Sequence, residues 1–169
     1  MKVFEDYLSG IITDMVEICL EYVEGKADKI YILCGNEDNV LSGSFFFKIH
    51  DKVVMKHKVN DVLMESEPKI DVSVDRQMQA NDIIVKDVEE LTKRCKEYNR
   101  DIPTQMKIVY EVNTHKLNTD ISYDLKYTNT KNKGWLDTFE EWFDEIKTQE
   151  NVSLEHFIES EKKYQIDKL

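Results

Sequence analysis

The most regular pattern in the chain runs from Met106 to Tyr127. Met106, Ile108, Tyr110 and Val112 fall on one face of a first extended arm. In a second arm Leu117, Thr119, Ile121, Tyr123, Leu125 and Tyr127 alternate with Asn118, Asp120, Ser122, Asp124 and Lys126. Successive side chains of a strand point to opposite faces, so this alternation predicts a long β-hairpin, apolar on one side and wet on the other. Asn113 to Lys116 supplies its turn, with Asn113 suited to positive φ. Further strands are predicted over 29–57. Lys29 to Cys34 is a short apolar run, Gly35 to Asn39 reads as a loop, Val40 to Ile49 resumes as strand, and Val53 to His57 adds a third. Phe45-Phe46-Phe47 is too bulky and continuous for an exposed edge and predicts an interior strand.

Other segments follow helical spacing. Over 3–23, Phe4, Leu8, Ile11, Ile12, Met15, Cys19, Tyr22 and Val23 recur every three to four residues, and Gly25 is placed to end the helix. Over 82–98, Ile84, Val88, Leu91, Cys95 and Tyr98 form a stripe that Pro103 terminates. Between the strands and this helix, the stretch 60–81 reads as an irregular crossover. It holds Pro68 and the polar run Asp75-Arg76-Gln77, and Val72 and Val74 suit a short strand. Two helices close the chain, over 135–147 and 153–164. In the first, Trp135, Phe139, Trp142, Phe143 and Ile146 fall in one arc. Asp137 and Glu140 fit a capping box, which would start that helix at Thr138. In the second, Leu154, Phe157 and Ile158 form the apolar face behind a Ser153 cap. Aromatic strands of this kind need a layer of helices over them. The pattern therefore predicts one α+β domain over 1–169, with an antiparallel four- to five-stranded sheet and helices packed on one face. Helices 3–23 and 82–98 would cover the sheet, and the carboxy-terminal pair would flank them.

Composition narrows the chemistry. With 41% apolar residues among 169, the chain can bury a core without disulfides. Cys19, Cys34 and Cys95 are odd in number and sit in apolar patterns, as buried reduced thiols do. The amino terminus lacks a signal-peptide pattern, and no apolar run approaches the ~20 residues of a membrane span, which predicts a cytoplasmic protein. A formal charge of −11 disfavours nucleic acid and anionic membranes and favours a basic protein partner.

No glycine-rich phosphate loop, serine elbow or paired-histidine motif is present, and His50, His57, His115 and His156 lie far apart in sequence. The sequence thus predicts no catalytic residue, cofactor or metal set, and a binding protein rather than an enzyme. Its sharpest candidate is an arc of one sign, Asp137, Glu140, Glu141, Asp144 and Glu145, opposite the aromatic stripe. Asp120 and Asp124, two strand steps apart on the open face of the hairpin, could extend it. A run of acids is either solvated helix surface or a docking surface, and uniform sign costs self-repulsion that mixed charges avoid.

The order of these elements is itself suggestive. A leading helix runs into Lys29-Ile30-Tyr31-Ile32 and then Phe45-Phe46-Phe47. The helix around Val85-Lys86-Asp87-Val88-Glu89-Glu90-Leu91 ends in Asp101-Ile102-Pro103, and the hairpin closes with Asp120-Ile121-Ser122-Tyr123-Asp124-Leu125. In order and spacing, residues 4 to 145 resemble the YezG/EsaG-like family of small acidic bacterial immunity (antitoxin) proteins. Two departures stand out: Thr104 follows Pro103 where the family usually carries tryptophan, and the stretch 60–81 is long. What the resemblance implies is a protein that neutralises a secreted toxin, commonly a nuclease, in the producing cell, with no catalytic residues of its own. The other reading is a regulatory or adaptor protein that binds a basic partner unrelated to toxins.

Overall fold

The computed structural model describes residues 1–167, without the side chains of Leu154 and of residues 164–167. The elements in order are α1 (Phe4–Tyr22), β1 (Lys29–Glu37), β2 (Val40–Ile49), β3 (Lys52–Met55), a 3-10 turn (Lys56–Asp61), α2 (Val74–Glu97), β4 (Gln105–Glu111), β5 (Lys116–Ser122) and α3 (Trp135–Asp167). The strands form one five-stranded antiparallel sheet in the order β3-β2-β1-β4-β5. The α+β class, the antiparallel sheet and the α1/α2 covering pair are as the hydrophobic pattern predicts.

Strand alternation sends Ile30, Ile32, Cys34, Phe45, Phe47, Met106 and Ile108 to the side covered by α1 and α2. Tyr31, Leu33 and Phe46 project the other way, and Val109 joins them at the margin. The three consecutive phenylalanines are therefore those of an interior strand buried on both faces. This second apolar face corrects the expectation of helices on one face only. The carboxy-terminal segment lies on the side opposite α1 and α2, where Phe139 and Trp142 cover Tyr31, Leu33 and Phe46.

That segment is also one helix of 33 residues rather than two. The aromatic stripe stops at Ile146, which suggests an end, but nothing between 147 and 153 is a glycine or proline that would impose one. The next inward position is Glu150, which is polar and ion-paired. Beyond it Phe157 and Ile158 lie exposed, and the side chain of Leu154 is outside the described residues.

Two stretches read as irregular are ordered elements. Helix α2 begins at Val74, eight residues before the expected 82, with Ser73 as its cap accepting the Arg76 N–H at 3.4 Å. The polar run has a structural task. Arg76 Nη1 donates to the Tyr22 carbonyl at 2.8 Å, which has no backbone donor at the end of α1, and Nη2 adds a second donor to the Glu21 carbonyl at 3.2 Å. Gly35, Asn36 and Glu37 belong to β1, and Asp38-Asn39, with φ of 53° and 61°, forms the tight turn into β2. Gly35 is required there because a Cβ would stand 2.0 Å from the Thr104 carbonyl oxygen.

The hairpin forms, with Met106 opposite Ile121 and Ile108 opposite Thr119, but it is shorter than its alternation suggests. β5 ends at Ser122. The Thr104 N–H donates to the Ser122 carbonyl (3.0 Å) and its Oγ1 to that of Asp124 (2.6 Å), and the Lys126 and Tyr127 N–H groups turn to the Glu37 carboxylate. Glu37, 1% exposed, thereby replaces strand pairing for residues 126 and 127. Leu117 is 47% exposed rather than covered, and the turn places its positive φ at His115 rather than Asn113.

Candidate functional site

The acidic arc is built from the inside of α3 outward. Its inner side chains interlock with the sheet: Phe46 meets Trp142, Phe143 and Phe139 edge-on at centroid distances of 5.1, 5.1 and 5.8 Å. Tyr31 meets Trp142 at 5.9 Å, and Trp135 stacks on Phe139 at 5.4 Å. Aromatic pairs of this geometry add about 0.5–1.5 kcal/mol each beyond the area they bury. One turn further, Glu150 bridges Lys48 (2.6 Å) and Lys29 (3.1 Å) and accepts from the Tyr31 hydroxyl at 3.4 Å. Burial alone would raise the Glu150 carboxyl, but the hydrogen bonds from Lys48 and Lys29 outweigh it and hold the group below the usual carboxylate range. Burial first, then the Glu150 charge, pushes the Tyr31 phenol well up. The segment 135–150 is thus fixed in position and in rotation about its own axis.

All five acids of the outer arc are exposed, but they are not equivalent. Asp137 Oδ2 accepts the Gly134 N–H at 2.7 Å, so it caps the helix, which starts at Trp135 rather than Thr138. Glu141 pairs with Lys133 at 3.0 Å, so the preceding loop brings a cation into what reads in sequence as a purely acidic arc. Glu145 accepts from Gln149 Nε2 at 3.4 Å. Among the described residues the carboxylates of Glu140 and Asp144 make no hydrogen bond or ion pair.

Asp120 joins this surface from the sheet. It shares a face of β5 with Asn118, opposite Lys107 of β4, and lines one groove with Lys107, Val109, Trp142 and Glu145. Within this groove Lys107 Nζ sits 5.6 Å from the centre of the Trp142 ring. Asp124 does not join. The capture of the backbone by Thr104 and Glu37 ends the strand at Ser122, so Asp120 and Asp124 are not collinear on one strand.

Neither any protein-family model nor any curated protein matches the chain. The reading of the site therefore rests on its own geometry.

One further carboxyl is unusual. Asp87 of α2 is pushed up to about 8, first by burial and then by the hydrogen bond and charge of Asp14 on α1. Its Oδ2 is sealed from solvent without a donor. A proton carried by the Asp87 carboxyl accounts for both facts. Among the described residues no group of three or more His, Cys, Asp or Glu side chains is placed to hold a metal ion. None of their helices is long and apolar enough to cross a membrane.

Sequence reasoning missed Glu150 and Glu37. Glu150 had a signal, since it continues the inward spacing four residues after Ile146. Glu37 had none, because an acid beside Asp38-Asn39 reads as loop.

Proposed function

We propose that this protein is an immunity protein, which binds a basic toxin in the cytoplasm of the producing cell and blocks it without catalysis. The observation that carries this reading is the pair Glu140 and Asp144, unpartnered among the described residues, beside Glu145 and across a groove from Asp120. They stand on a helix segment fixed to the sheet by Trp142, Phe139 and Glu150. A nuclease must present cations to grip phosphates, and those cations supply much of its affinity for nucleic acid. A rigid surface of opposite sign steers such a toxin into contact and occupies the cations its substrate needs. The resemblance in element order to the YezG/EsaG-like immunity proteins points the same way.

The test is co-expression of this protein with the toxin encoded beside its gene. Cells are expected to survive with both and to die with the toxin alone. Absence of a toxin gene there, or death despite the protein, overturns the reading.

A further inference from the structure

The edge of the sheet beyond β4 is β5, and among the described residues no strand pairs with its outward side. The opposite edge strand, β3, is four residues long and is followed directly by the 3-10 turn. Short or covered strands are the usual protection of a sheet edge, whereas β5 runs for seven residues, Lys116–Ser122, without a proline. Leu117 on its α1/α2 side is 47% exposed. Among the described residues neither Lys116 nor Asp120 makes an ion pair.

The register of the hairpin gives this edge a charge pattern. Lys116 lies opposite Glu111 and Asp120 opposite Lys107, with Asn118 opposite Val109 between them. All six project to the α3 side of the sheet. Lys116 and Asp120 are equally far from Asn118, one on each side. An antiparallel strand added in a register where Asn118 meets its own equivalent therefore places Lys116 beside Asp120 of the second copy, and the reverse. The row across the joined sheets then reads Glu111, Lys116, then Asp120 and Lys107 of the second copy, alternating in sign throughout. On the other side Leu117 meets Thr119 of the second copy and loses its exposure. Opposite charges directly across neighbouring strands stabilise pairing, and a two-fold axis through the Asn118 pair supplies every other contact twice.

We propose that β5 is a self-complementary edge, through which two copies of this chain join antiparallel about Asn118 into one continuous sheet. The inference does not rest on the toxin-binding reading, although Asp120 lies on both surfaces. The edge alone falls short of the ~1,200 Å² at which interfaces become stable, so the pairing depends on concentration. Two chains of formal charge −11 repel each other, and salt of about 0.15 M, with a Debye length of ~8 Å, screens that overall repulsion more than it screens contacting pairs.

The experiment is sedimentation equilibrium of the parent, K116D, D120K and K116D/D120K up to about 1 mM in that salt, with circular dichroism confirming that each is folded. The parent is expected to self-associate, and each single variant to weaken association by about tenfold or more. The double variant is expected to recover it. Within one chain the double change sets like charges against both Glu111 and Lys107, so recovery arises only between chains. A monomeric parent at every concentration, single variants that associate like the parent, or a double variant no better than the singles overturns the proposal. So does a dimer that ignores the β5 changes and is lost on Phe157→Ser, which would place the contact on the exposed end of α3.

Discussion

Replacing Asp87 by asparagine should flatten the dependence of stability on pH. An aspartate ionises near 3.8 in the unfolded chain, and burial and Asp14 push this one up to about 8 in the fold. The distance from 3.8 to about 8 corresponds to ~6 kcal/mol at ~1.4 kcal/mol for each tenfold change in proton affinity, which is an upper bound. Asp14 is exposed and the pair can relax towards water, so screening reduces the effect to about 1–2 kcal/mol. The raised value fixes the sign. The folded state holds a proton that the unfolded state releases, so the contribution is fully present below about 4 and is lost as pH rises through about 8. An amide in place of this carboxyl does not titrate and can still donate to the Asp14 carboxyl, so D87N escapes that loss. Urea unfolding of parent and variant at several pH values gives the readout as a difference, which cancels the other titrating groups. The variant should gain about 1–2 kcal/mol on the parent between about pH 5 and about pH 9. A difference that stays constant over that range would refute the buried proton.

Two further substitutions test how the acidic helix is held and how closely two strands approach. Glu150→Ala strands Lys29 and Lys48, whose side chains are 27% and 16% exposed, and should cost about 1–3 kcal/mol in urea unfolding. Because the Glu150 carboxyl is held below its usual range, that cost should be full at neutral pH and fade as pH falls through the folded value. Gly35→Ala drives a Cβ against the Thr104 carbonyl, and backbone cannot swing aside as a flexible side chain can. A loss of about 1–3 kcal/mol in a thermal melt is expected, and an unchanged melting temperature would show that β1 and the start of β4 are not so closely apposed.

The sequence was informative wherever one periodicity and burial coincided. The stripe of α1 and the three phenylalanines of β2 predicted their own placement, because each buried position is apolar. It was silent where a polar group does structural work. Arg76 caps the end of α1, Glu150 carries the inward face of α3 past Ile146, and Glu37 replaces strand pairing for Lys126 and Tyr127. Each looks like an interruption in a pattern of apolar and polar letters, because its partner lies far along the chain. The two-sided burial of the sheet was present in Tyr31, Leu33 and Phe46, but a continuous apolar run does not say which helix covers which side. At the acidic surface the composition of the arc was legible. Its internal differences were not, since the capping bond of Asp137 and the Lys133 partner of Glu141 depend on where the preceding loop returns.

The central claim is that the outer face of α3 meets a basic partner, and association kinetics with the toxin that the proposed function implies test it most directly. Glu140 and Asp144 are the positions to change, because Asp137 caps the helix and Glu141 is already paired with Lys133. Exposed charges on a helix usually alter stability by less than ~0.5 kcal/mol, so E140K/D144K should fold as the parent does. The parent's association rate should fall steeply as salt rises from about 0.05 to about 0.3 M. The variant should associate about tenfold more slowly at the low end, with a shallower salt dependence, and approach the parent at the high end. Equal rates and equal salt slopes for the two proteins would contradict the account and leave the acidic arc as solvated surface.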